Sequence, residues 1–412
     1  MNSDNLLVPT ITRKKGINGQ IKQRSEDFIV CEKIDETHTL DPRIETHKLP
    51  GKKGLFLHFV LIKNNIDTSA ALDWIANLWK VKRNDLSIAG TKDKRAFTAQ
   101  RVSLWGVKKK YEEGKLKEIN LPKIKTKSLC FRIKEIRLGN SWGNAFHITI
   151  RDILTDMAQT KIKLEDKISE INDLGYLLNS FGQQRFGTIR PITHLVGEKL
   201  ILGNIKEALK IYIGKCYEDE SQEALEARRL YLETENPQEV LKIIPEHMHI
   251  ERKMLRELQK HKNHKQAFFS LPLQFQKLFI HAYQSYIFNK YLKIRYEKYS
   301  KDLSEPIDGE KAADNTVLAP LIGNKTKLSG QTEEIHSKIL KYEEVSMQDF
   351  NRPMVMKLGG GGSYRALGMK VYNLKIDEIA EDEINTGKTK AILSFELKKG
   401  SYATEVLKEI IR

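Results

Sequence analysis

Gly143-Asn144-Ala145-Phe146-His147-Ile148-Thr149-Ile150-Arg151 is the stretch from which the fold can be read. Phe146, Ile148 and Ile150 alternate with His147, Thr149 and Arg151, and a period of two sends successive side chains to opposite faces of a strand. One face is thus apolar and the other polar, the pattern of a sheet with a single buried side. Outward from it, strand character recurs at Phe28 to Glu32, Leu55 to Ile62, Leu86 to Ala89, Phe97 to Leu104 and Leu129 to Ile136. Between two of these, Thr68 offers a cap oxygen, and Leu72, Ile75, Leu78 and Trp79 fall on one helical stripe. A second amphipathic helix is expected over Ile162 to Leu178. The short connections favour antiparallel pairing, with helices packed on one face.

From about residue 188 the character changes to longer helical patterns rich in charge, including Leu195 to Ile213 and Glu251 to Leu258, which runs on into a basic stretch containing His261 and His264. The run Gly359 to Gly362 reads as a flexible hinge. Strand alternation then returns at Leu393, Phe395 and Leu397, and Ser401 can cap a short helix containing Val406, Leu407 and Ile410. A returning strand means that the chain re-enters its first sheet and that the helical part is an insertion. The expected organisation is residues 1–187 and 356–412 as one split domain, with 188–355 inserted. No internal repeat of the solenoid kind is visible.

Composition bounds the function. The 412 residues carry 70 Lys+Arg against 54 Asp+Glu, a net charge of +16, which favours polyanionic partners. Hydrophobic residues make up 40%, too many for a disordered polyelectrolyte, and no apolar run approaches the ~18 residues needed to span a bilayer. A basic amphipathic helix with a bulky apolar face is also missing, so no membrane role is expected. Cys31, Cys130 and Cys216 are odd in number and far apart, which fits neither a disulfide framework nor a CxxC site. With a polar opening and no secretory signal, a cytoplasmic location is expected. No GxxxxGK[ST] loop occurs, and Gly359 to Gly362 lacks the following Lys-Ser/Thr. His247, His249, His261 and His264 have spacings that metal sites use, but the surrounding lysines raise the cost of holding a dication there, and solvated helix surface is expected instead. No hydrolytic triad is suggested.

One segment stands apart. A strand over Leu86 to Ala89 runs into Gly90 and then Lys92, Asp93, Lys94 and Arg95, so one carboxylate sits among three cations at the end of an element. Neighbouring positive charge keeps a carboxylate ionised, which suits a nucleophile or electrostatic stabiliser and not a general acid. The alternative is a charged surface turn with a local salt bridge.

Taken as a string, Gly90-Thr91-Lys92-Asp93-Lys94-Arg95-Ala96-Phe97-Thr98-Ala99-Gln100 resembles the GxKDxxAxTxQ signature of the TruD-type pseudouridine synthases. Gly143-Asn144-Ala145-Phe146 is similar to their GNxF element, and Phe181-Gly182-Gln183-Gln184-Arg185-Phe186-Gly187 to FGxQRFG. Lys22 through Phe28, with Val30 and Glu32, resembles the opening KxxPEDFxVxE, and Gly400-Ser401-Tyr402-Ala403-Thr404 the closing GSYAT. The long form of Arg190-Pro191-Ile192-Thr193-His194-Leu195-Val196-Gly197 is similar to archaeal members and the related eukaryotic branch. Two departures stand out: Ser25 where proline is common, and Ser180 where tyrosine often precedes FG.

The resemblance implies an α+β fold: an antiparallel-sheet pseudouridine synthase catalytic domain interrupted by a mostly helical insertion domain peculiar to the family. It implies an RNA isomerase acting on tRNA at uridine-13, with Asp93 as the catalytic aspartate and Lys22 holding it ionised. Phe146 would receive the unstacked base and Asn144 would organise the site. An isomerisation needs no cofactor and no metal, and no obligate protein partner is implied. The competing reading is an RNA-binding protein or chaperone that keeps the scaffold without turnover.

Overall fold

The alternating stretch becomes Gly143–Ile153, the hub of a ten-stranded sheet in a computed structural model that describes residues 8–313 and 316–412. On one side it pairs antiparallel with Thr389–Lys398, which in turn pairs with Tyr372–Glu381. On its other side lies Phe28–Lys33, followed by Phe97–Leu104, Phe56–Asn64, Ile124–Arg132 and Asn120–Leu121. Within this sheet only the Phe28–Lys33 and Phe97–Leu104 pairing is parallel. The architecture is therefore α+β with an antiparallel-dominated sheet, and the last strand does return to the first sheet.

Register decides which side chains share a face. Phe28 lies opposite Ile148, Val30 opposite Phe146 and Glu32 opposite Asn144, while Val30 aligns with Thr98, and Thr98 in turn with Lys63. Two apolar clusters occupy this face. One gathers Phe28, Val30, Phe146, Ile148, Leu393 and Phe395 under the helices Met157–Leu174 and Ala403–Ile411. The other gathers Leu57, Phe59, Leu61, Val102 and Leu104 under Thr68–Leu78. The opposite face carries a smaller cluster, Leu40, Leu49, Val60, Ile62 and Ala99. These residues fall within two compact units; this one comprises 10–177 and 369–412, and the second comprises 178–368 with 8–9.

Several local expectations are corrected. Asp67, not Thr68, caps its helix, accepting from the amides of Ser69 and Ala70, and Leu78 is exposed. The next helix stops at Leu174, because Gly175 adopts φ +73° and closes it. The strand expected at Leu129 to Ile136 runs Ile124–Arg132. Ser401 caps nothing, since the last helix begins without a side-chain cap.

The second unit is built around Leu273–Ile294, a helix that buries Phe279, Tyr283, Ile287, Phe288 and Tyr291 on several sides. A helix apolar around much of its circumference belongs in the middle of a bundle. The helical pattern at Leu195 to Ile213 is split, as Thr193–Ile201 and Ile205–Gly214, where Gly203 takes φ +81°. The glycine run is no hinge: the carbonyls of Gly360 and Gly361 accept from the amides of Asn324 and Lys325 at 2.9 and 3.1 Å. Among the described residues, no helix is long and apolar enough to cross a membrane.

Gly143 shows why one position in the hub strand carries no side chain. A Cβ there would lie 1.9 Å from the carbonyl oxygen of Leu397 on the adjacent strand. Gly143→Ala is therefore expected to lower stability by about 3 kcal/mol, in the range for forced overpacking against backbone, and a urea unfolding midpoint measures it.

Candidate active site

Between the two apolar clusters the inward face of the sheet turns polar. Lys63 continues the inward row of Leu57, Phe59 and Leu61; Thr98 and Gln100 precede Val102; Glu32 follows Phe28 and Val30; and Asn144 precedes Phe146. All but Asn144 are buried. The segment after Leu86–Ile88 lands on this strip and is tied to it residue by residue. The Thr68 hydroxyl donates to the Lys92 carbonyl at 3.2 Å and accepts from the Lys92 amide at 3.1 Å. The Lys63 ammonium donates to the Asp93 carbonyl at 2.5 Å, and Gln100 donates to the Gly90 carbonyl at 3.1 Å.

Lys92 reaches back along the strip. Its ammonium donates to Asn144 Oδ1 at 2.6 Å and pairs with Glu32 Oε2 at 3.2 Å, both charges being almost fully covered. A buried ion pair is costly to desolvate, and losing one partner strands the other charge, so such a pair holds geometry better than it adds stability. Here it locks a lysine and an asparagine next to the aspartate.

The Asp93 carboxylate itself stays accessible, with 37% of its side chain exposed, and Lys22 Nζ approaches its Oδ1 at 3.5 Å. Lys22 is held for this. Its backbone adopts φ +61°, a left-handed conformation that costs a non-glycine residue of order 1 kcal/mol, and Arg95 donates to its carbonyl at 3.2 Å. Its ammonium also sits over the Phe28 ring, 3.9 Å from the centroid. The structure thus brings Lys22, Asp93 and, through Lys92, Asn144 into one constellation. Phe146 lies beneath it, 4% exposed, stacked on Phe395 at 5.2 Å and edge-on to Phe28 at 6.3 Å.

This chain matches the family model "tRNA pseudouridine synthase D (TruD)" over residues 8–316 and 310–410. The chain belongs to the TruD family. Among its relatives, the Probable tRNA pseudouridine synthase D of Methanosarcina barkeri is 35% identical over 434 residues, covering 97% of this chain and 95% of that one. The Probable tRNA pseudouridine synthase D 1 of Methanocaldococcus jannaschii is 36% identical over 406 residues, covering 95% of each. A crystal structure from Methanosarcina mazei, described as a TruD, superposes with a TM-score of 0.76 at 33% identity, covering 99% of this chain and 97% of that one.

For a TruD member, Lys63, Thr68 and Glu32 join the constellation in places the sequence did not assign them. A signal for two of them was present: Lys63 and Glu32 each fall on the apolar phase of a strand, where a charge needs a partner. Thr68 carried no such signal, because its hydroxyl was free to be a cap until Asp67 took that place.

Among the described residues, one group of potential metal ligands comes together: Cys31, Asp41 and His147 offer atoms within 4.8 Å of one another. They lie on the other face of the sheet from Asp93, since Cys31 and His147 occupy the opposite phase of their strands. A cation already serves that cluster, because the Arg43 guanidinium bonds both carboxylate oxygens of Asp41 at 2.5 to 3.1 Å. His247 and His249 are exposed, and His261 pairs with Glu257 at 3.7 Å.

Burial pulls the Lys63 ammonium down to about 8, against the opposing attraction of Asp93 and Asp67. Between that value and the ordinary 10.5 the unfolded chain binds more protons than the folded one, so stability from this group rises with pH across that window; below it, the cost of the buried charge is constant. Unfolding in urea at about pH 7.5 and about pH 9.5 should show wild type gaining about 2 kcal/mol relative to Lys63→Met over that interval.

Proposed function

We propose that this chain isomerises uridine to pseudouridine in tRNA, at uridine-13, with Asp93 as the group that acts on the ribose. The observation that carries the reading is the Asp93 carboxylate, open to an incoming nucleotide, with the Lys22 ammonium 3.5 Å away and its own backbone pinned by Lys63. The relatives' names supply the reaction class and the tRNA. The cytoplasm, where tRNA is matured, is the corresponding location.

The chemistry asks for what this constellation offers. The N1–C1′ bond must break, the uracil must turn while held, and C5 must bond to C1′ as its proton leaves and N1 regains one. An ionised Asp93 can begin this by attacking C1′, forming an ester-like bond while the N1–C1′ electron pair moves into the base, or by abstracting a ribose proton to give a glycal. Both routes need the carboxylate charged, and the Lys22 ammonium faces it at 3.5 Å. Asn144, held by Lys92, serves as a polar contact to the nucleotide, and Phe146, fixed on Phe395, as the rigid aromatic floor beneath the base site. The target nucleotide must leave its stack to arrive there, at a cost of a few kcal/mol recovered from such contacts. Atoms and electrons balance within the substrate, so no cofactor enters.

Incubation of wild type and Asp93→Asn with unmodified tRNA transcript, followed by single-nucleotide mapping of pseudouridine, tests this. Wild type should modify uridine-13, and the variant should lose at least about 1000-fold in rate, as expected when the group that acts on the reacting carbon is removed. Product at another position overturns the target. Binding without product by wild type, across a broad set of RNAs, replaces the enzyme with an RNA-binding protein.

A further inference from the structure

The segment Arg190 to Gly197 takes no part in the Asp93 constellation, yet it is built with care. Arg190 donates to the carbonyls of Tyr212 and Lys215 at 2.7 and 3.1 Å and pairs with Glu220 and Glu251 at 3.3 and 3.2 Å. Those bonds hold the loop that follows Ile205–Gly214. The Tyr217 hydroxyl donates to the Pro191 carbonyl at 3.4 Å, closing the loop onto the segment. Gly197 lets Thr193–Ile201 lie against Leu273–Ile294, because a Cβ there would meet the Phe279 carbonyl at 2.1 Å.

What these contacts enclose is an open cleft of about 770 Å³ inside the second unit, lined by Pro191, His194, Lys215, Tyr217, Arg229 and Tyr286. That volume is in the range of small-molecule and nucleotide sites. Its floor is aromatic: the His194 ring stands 4.9 Å from Tyr286, and Lys290 bridges the Tyr286 and Tyr342 rings, its charge matched by Glu343. Its rim is charged, with Lys215 and Arg229 as cations and Glu218 and Asp219 as carboxylates.

His194 is the anomaly. It is 95% buried, and its Nδ1 is wholly out of solvent with no hydrogen-bond partner. Burial and the charges of Lys215 and Lys290 push its proton affinity down to about 3, so the ring is neutral and carries one donor and one acceptor.

We propose that this cleft is a second RNA contact that takes one unstacked nucleotide. The base lies against the tyrosine rings with a polar edge toward His194; the ribose hydroxyls meet Glu218 or Asp219, and the phosphate meets Lys215 and Arg229. Mixed charge at the rim favours a nucleotide over a bare polyanion, which both carboxylates would repel. Aromatic faces that accept any base, together with cations for the backbone, are the means by which proteins hold single-stranded RNA. The proposal rests on RNA being the substrate.

The test uses the full chain and unmodified tRNA transcript. Tyr217→Ala should weaken tRNA binding about tenfold, the scale of one lost stacking contact, with the rate of pseudouridine formation at saturating tRNA unchanged. Tyr217→Phe should bind as wild type, and Arg229→Glu, an exposed change, should weaken binding without lowering the melting temperature. Transcript carrying 4-thiouridine should crosslink to peptides of residues 188–229. Affinities within about twofold of wild type for all variants, with no such crosslink, overturn the proposal, and they do so whether or not wild type makes pseudouridine. Binding of free 5′-nucleotides that Tyr217→Ala abolishes, without change in tRNA affinity, overturns the RNA assignment. If wild type makes no pseudouridine but Tyr217→Ala still loses tRNA, the isomerase reading fails and this one stands.

Discussion

The buried pair of Lys92 and Glu32 is the constraint on which the site depends. Glu32 occupies a position that the strand pattern reserves for an apolar side chain, and its charge is fully covered. It is tolerable there because Lys92 meets it at 3.2 Å and the Arg101 amide at 3.2 Å. In turn Lys92 can reach inward only if its own backbone is brought down onto the sheet, which the Thr68 hydroxyl does from the neighbouring helix. Asp93, the next residue, is thereby left at the edge of the strip with its carboxylate outward.

The polar strip explains why the inward face holds two apolar clusters instead of one. A continuous core would have required apolar residues at Lys63, Thr98, Gln100 and Glu32, and none is present. The sheet instead encloses helices to either side of the strip and lets a loop close the gap. Thr98 Oγ1 and Gln100 Oε1 have no hydrogen-bond partner within it. Unpaired buried polar atoms cost stability, and proteins retain them where pre-formed geometry is worth more than the loss.

The helical unit uses buried charge in the same way. Arg228 pairs with Glu220 at 2.7 Å and with Glu251 at 3.1 Å, sharing both partners with Arg190. Arg295 is wholly buried, bonded to Glu310 at 3.0 Å and to the carbonyls of Ser300 and Glu305. Guanidinium groups suit this because five fixed donors can satisfy several carbonyls and carboxylates at once. Such networks set loop positions rigidly, and the cleft around His194 is shaped by one of them.

Much of the architecture was legible along the chain. Phe146, Ile148 and Ile150 announced a one-sided strand, Leu393, Phe395 and Leu397 its returning partner, and the Lys92 to Arg95 cluster marked the segment that carries the lone Asp93 carboxylate. What the sequence determined by itself is local: alternation, helical stripes and the company a residue keeps within a few positions. Choices between equally able neighbours, such as Asp67 over Thr68 as the cap, were beyond it. So was the placing of Phe146 beneath the site, since one inward phase serves core and cleft alike. Only the tertiary structure decided that Lys63, Glu32 and Thr68 converge on the adjacent Lys92 and Asp93, and that Pro191 and His194 face a cleft with Tyr217 and Tyr286. These residues come from separate strands, helices and loops, and their meeting is set by sheet register and helix packing, which no short stretch of sequence encodes.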